Sequence, residues 1–176
     1  MEQQASFIHG KLEIRMLILF LMSRVISPVD LPTLTDLALC DAGVDYFSFA
    51  DSVYELVESG HLKQEDLLYS ITEKGMQHNA ITESSLPYSV RSKAEQPLAE
   101  VNARLRRAAQ IRSRLEHRED GFYNVILELD DNEGNLFSLS LLAGDEKLGK
   151  QMMERFQSAP EKVYNDLLSI LLPDDK

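Results

Sequence analysis

Residues 11–23, KLEIRMLILFLMS, are apolar nearly all round after Arg15, which predicts a helix central to a core or shared with a second subunit. SPVD follows and stops it, because Pro28 lacks a donor and fixes its own backbone angle. Asp30 can cap a second helix with Pro32 in its first turn, apolar at Leu34, Leu37 and Ala38, with Gly43 just past the end. A third helix, about 47–59, turns Phe49, Val53, Leu56 and Val57 inward at helical spacing, and Gly60 suits the left-handed position that ends it. HLK and LLYSI, two short apolar segments around QED, read as a small hairpin, and Thr72 opens a helix running to about Ile81.

A long helix from Leu86 to about Arg107 carries one stripe through Val90, Ala94, Leu98, Val101 and Leu105, with a kink or interruption expected at Pro97. The period then changes to two. FYNVILEL alternates through Tyr123, Val125, Leu127 and Leu129, and LFSLSLLA through Phe137, Leu139 and Leu141, with the turns EDG and DDNEGN before each. QIRSRLEHR at 109–117 alternates too, yet Ile111 is its only β-branched residue, so it reads either as a first strand or as an extension of the helix. The remainder is helical through Leu148, Met152, Phe156, Val163, Leu167 and Ile170, as one helix kinked at Pro160 or two stacked ones covering the sheet. The reading is α+β: residues 1–85 as one domain, 86–107 as a connecting helix, and 108–176 as an antiparallel meander covered by a helix.

Composition narrows the classes. An apolar fraction of 44% over 176 residues is that of a globular chain with one core or two small ones. The single Cys40 makes no internal disulfide and fits a buried apolar role in a reducing, cytoplasmic compartment. MLILFLM at 16–22 is only seven residues where a membrane span needs about 20, and no cleavage site follows it. The net charge of −11 is uneven: residues 1–90 hold 5 Lys and Arg against 13 Asp and Glu, 91–118 hold 8 against 3, and 119–176 hold 5 against 13. A basic segment thus lies between two acidic ones, and such a stripe can attract phosphate in a chain whose total charge does not.

SVYELVESGHL, a helix ending at a glycine and entering a strand, and LYSITEKG together resemble winged-helix regulators of the PadR and MarR kind. In those families a Y-x-[LI]-T-x-K-G segment closes the wing; Tyr69, Ile71, Thr72, Lys74 and Gly75 match it. Over nearly its whole length the chain resembles a bacterial family known only as a domain of unknown function, which joins a winged helix to a P-x-S-[IV]-R helix, here Pro87, Ser89, Val90 and Arg91, and then to a C-terminal sheet and helix. The resemblance implies an N-terminal winged helix-turn-helix, and a dimeric transcriptional regulator that binds double-stranded DNA through the 47–59 helix.

That implication meets a charge problem. With its apolar positions inward, the 47–59 helix would turn Ser48, Asp51, Ser52, Glu55 and Glu58 outward, without a cation among them. Carboxylates can accept from cytosine and serines can contact bases or phosphates. Phosphate contacts would then fall to Lys63, Gln64, Lys74, Arg104, Arg106, Arg107, Arg112 and Arg114. The competing expectation is a solvated acidic face on a protein-interaction or dimerisation module that binds no DNA. Leu17, Phe20 and Leu21 of the first helix are the expected dimer contacts.

Catalysis, metal and cofactor are not expected. His9, His61, His78 and His117 are scattered without ligand spacing, DDNEGN places Gly134 and Leu141 where a calcium loop needs other residues, and no phosphate-binding or nucleophile-elbow motif occurs. Tyr123, Met152, Met153, Phe156 and Tyr164 could line an effector pocket, but at helical spacing they read as core, and no small-molecule effector is assigned.

Overall fold

The computed structural model describes residues 8 and 10–172. His9 therefore lies outside the described residues. The chain divides into two compact units, Met1–Leu105 and Arg106–Lys176.

In the first unit the order is α1 (Lys11–Met22), β1 (Val29–Asp30), α2 (Leu31–Ala38), α3 (Tyr46–Glu58), β2 (Leu62–Glu65), β3 (Leu68–Ile71) and α4 (Glu73–Thr82). Then comes a short 3-10 turn (Glu83–Ser85), followed by α5 (Tyr88–Gln110), which runs out of the unit. Asp30, Asp45 and Thr72 cap α2, α3 and α4 by accepting from the amides of Thr33, Ser48 and Gly75. The three strands form an antiparallel sheet in the order β1-β3-β2. Asp66, with φ of 52°, makes the tight turn between β2 and β3, and leaves Leu67 exposed at the tip.

α1 is the centre of this unit. Leu17, Ile18, Leu19, Phe20, Leu21 and Met22 are all buried, packed among Leu34, Leu37, Phe49, Val53, Leu56, Leu86, Val90 and Ala94. The apolar surface of α1 from Leu17 to Met22 is thus covered by its own chain. This corrects the expectation that Leu17, Phe20 and Leu21 face a second subunit: their side chains have no surface left to offer. The start of α5 belongs to the same core through Val90, Ala94 and Leu98, and the helix continues through Pro97 without interruption.

The second unit begins at the end of α5. β4 (Ile111–His117), β5 (Tyr123–Asp130) and β6 (Asn135–Ala143) form an antiparallel meander, and α6 (Glu146–Ser158) and α7 (Pro160–Leu171) follow. Residues 111–117 are therefore a strand, registered from Ile111 opposite Leu129 to His117 opposite Tyr123. Val125, Leu127, Leu129 and Phe156 are buried, with Met152, Met153, Tyr123 and Tyr164 packed partly against them. Those residues are core, as their spacing predicts. DDNEGN is a hairpin turn in which Asp131 accepts from the amides of Glu133 and Gly134. The C-terminal stripe is two helices, broken at Ala159.

Candidate functional site

Helix α3 displays one continuous solvent stripe at spacings of four, three and four: Phe47, Asp51, Tyr54 and Glu58. Phe47 is 80% exposed and Tyr54 66%. The helix is held from both ends. Asp45 caps its start; at its end Gly60, with φ of 71°, lets the Gly60 amide reach Val57 O and the His61 amide reach Leu56 O. Lys74 Nζ donates to Ser59 O at 2.6 Å, satisfying another carbonyl of the last turn.

Charge on this helix is balanced from α1. Lys11 Nζ lies 2.5 Å from Glu55 Oε1 and 3.6 Å from Asp51 Oδ2, and Arg15 Nη1 donates to Glu55 Oε2 at 3.0 Å. The hydrogen bond from Lys11 pulls the Glu55 carboxyl below its ordinary range, opposed by some desolvation and helped by the charges of Lys11 and Arg15. Sequence reasoning assigned neither cation to this surface. A pair spanning 44 residues leaves no local pattern to find.

The sequence-derived contacts come out differently from one another. Asp51 is exposed, while Ser48 and Glu55 are half-buried. Ser52 is not on the surface: it is fully buried and its hydroxyl donates to Ser48 O at 2.6 Å, so it cannot touch DNA. Lys63 pairs with Glu65 at 2.6 Å, and the Gln64 amide donates to Asp66 O. Arg104 donates to Thr33 Oγ1 at 3.2 Å, in the first turn of α2. Within the second unit, Arg107 pairs with Glu161; Arg112 with Asp130 and, at 3.3 Å, Glu128; and Arg114 with Glu116 at 3.0 Å and Glu128 at 3.3 Å. Asn135 and Arg112 together lower the Asp130 carboxyl. Arg106 is exposed. Much of the basic segment is thus answered by acids of its own unit.

A cavity of about 240 Å³ lies beneath the end of α3, lined by α1, by Leu56 and Ser59, and by His61 and His78. Among the described residues no group of three His, Cys, Asp or Glu side chains could hold a metal ion, and no helix is long and apolar enough to cross a membrane.

No curated protein and no solved structure matches this chain. The family model for a domain of unknown function, DUF4364, matches residues 14–171, nearly all of both units, and the chain belongs to that family.

Proposed function

We propose that the first unit is a winged helix of the PadR and MarR kind, with α3 in the recognition position and β2–β3 as the wing, used to bind a protein. The exposed stripe Phe47–Asp51–Tyr54–Glu58 carries this reading. Aromatic side chains supply large contact area at small entropic cost and are enriched at the centres of protein interfaces. Carboxylates beside them suit a partner surface that is apolar at its centre and basic at its rim. The same stripe is a poor fit to a phosphate backbone, because it carries no cation of its own and Lys11 beside it is engaged with Glu55 and Asp51.

DNA binding by a dimeric transcriptional regulator is the second reading. It is favoured by the helix–helix–hairpin order and by Arg104 at the first turn of α2, where winged helices meet the backbone. Two measurements separate the two. Fluorescence anisotropy of a labelled 30-base-pair duplex library at about 50 and 200 mM salt gives no saturable binding under the protein-binding reading, and a steep loss of affinity with salt under the other. A photo-crosslinking residue in place of Tyr54, in the cells the chain comes from, should capture one protein species that Phe47→Ala releases. Salt-sensitive duplex binding that Phe47→Ala leaves intact, with no crosslinked protein, would reverse the preference.

A further inference from the structure

The cavity below α3 has two kinds of wall. Leu12, Met16, Leu19 and Leu56 make it apolar, while Arg15, Ser59, His61 and His78 are its polar residues. Arg15 uses Nη1 on Glu55, but its Nε is buried and donates to no acceptor among the described residues. The side chain as a whole is 38% exposed, and a single buried N–H without a partner is uncommon within it.

The hydrogen bonds around the imidazoles favour one arrangement of their protons. The Ser59 hydroxyl donates to Glu55 O at 2.6 Å, so at 2.8 Å it accepts from His61 Nδ1–H. His61 Nε2 then carries the lone pair and accepts from His78 Nδ1–H at 3.0 Å. Burial, then the charges of Lys74, His78 and Arg15, push the His61 imidazole below its ordinary range. The charged groups acting on His61 are Arg15 from α1 and Lys74 and His78 from α4. Among the described residues that line the cavity there is no carboxylate, and Glu55 beside it is held by Lys11 and Arg15. The described lining therefore carries no anion and offers an apolar floor.

We propose that this cavity binds a small organic monocarboxylate with a compact apolar body, its carboxylate on Arg15 and its body against Leu12, Met16 and Leu56. The volume, below the range of about 300–1,000 Å³ typical of drug-sized ligands, calls for a molecule of benzoate size. Inorganic phosphate shares the charge but leaves the apolar wall unfilled. Occupancy touches Leu56, Ser59 and His61, the joint at which α3 ends and the hairpin starts. The proposal does not depend on what α3 binds.

The test is a calorimetric titration of the full chain with sodium benzoate, followed in parallel by the histidine ring protons in NMR spectra. We expect saturable one-to-one binding, tighter at pH 5.5 than at pH 7.5 because a bound carboxylate favours the His61 imidazolium, with histidine ring signals shifting along the isotherm. Arg15→Gln is expected to weaken it about tenfold or more. Leu12 is 58% exposed, so Leu12→Glu places a repelling charge at the mouth with little risk to the fold, and is expected to weaken binding similarly. Phosphate should bind at least about tenfold more weakly than benzoate. No saturable binding at pH 5.5, equal affinity for phosphate, or wild-type affinity in Leu12→Glu would overturn the proposal.

Discussion

A Cβ added at Gly75 would lie 2.2 Å from the carbonyl oxygen of His61 and 2.7 Å from Ile71 Cγ1. That closeness is made by Thr72, whose amide and hydroxyl both donate to His61 O while its Oγ1 also accepts from the Gly75 amide. The spacing Thr72-x-x-Gly75 is thus a cap and a close approach in one device, pinning the start of α4 to the start of β2. Gly75→Ala is expected to destabilise the fold by roughly 2–3 kcal/mol, because backbone atoms cannot yield as a side-chain tip can. Gly144 has nothing within 4 Å of its would-be Cβ, so Gly144→Ala should stay within about 0.5 kcal/mol of wild type in urea unfolding. Equal effects of the two substitutions would refute this account. In the first unit, Asp41 is completely buried and held by Lys93 at 3.0 Å and by the Gly43 amide. Burial, then the Asp41 charge, pushes the neighbouring Cys40 thiol up, so it stays protonated and behaves as a small packed group.

At the scale of elements, α1 and β4 teach opposite lessons. The apolar run in α1 permitted two partners, its own core or another subunit, and no pattern within the run separates them. Packing does: α2, α3 and α4 lie against it, and the start of α5 joins the same core. Leu17→Ala is therefore expected to cost about 3 kcal/mol through lost burial and a residual cavity, with the mass from light scattering unchanged from wild type. A shift in oligomeric state at preserved stability would restore the interface role. For β4, alternation was legible, but no Gly or Pro separates Gln110 from Ile111 to mark where helix gives way to strand. Pairing with β5, in which Ile111 meets Leu129, decides it. β1 is two residues long and carries no period at all; it exists because Val29 and Asp30 meet Tyr69 and Leu68. Periodicity finds an element that has one buried face, and fails where only a distant partner defines the element. The α3 site failed for the same reason: its inward positions were readable, while Lys11, Arg15 and the solvent stripe of Phe47 and Tyr54 needed coordinates.

Across the whole molecule, acids outnumber bases, and the chain's response to pH follows from where protons are disfavoured. Asp30 and Asp45 are lowered by their capping bonds, Glu55 by Lys11, Asp120 by Arg118, and Glu146 by Lys150. For each, the folded chain binds its proton less readily than the unfolded chain, so the stability they give is complete above the ordinary carboxylate range and is lost as pH falls through it and below. His61 acts with the same sign in a higher window. Its folded imidazole is lowered by burial and by the charges of Lys74, His78 and Arg15, so the unfolded chain takes up the proton first, and stability begins to fall as pH drops through about 6.5. Stability should therefore decline in two stages on acidification. Urea unfolding followed by circular dichroism at pH 7.5, 5.5 and 3.5, in buffers free of carboxylates, checks both. His61→Gln is expected to flatten the stage between pH 7.5 and 5.5 while leaving the loss between 5.5 and 3.5 in place. Parallel curves for variant and wild type across the upper interval would mean that His61 is as easily protonated folded as unfolded. The cationic surroundings drawn from α1 and α4 would then have to be abandoned, together with the proton arrangement that depends on them.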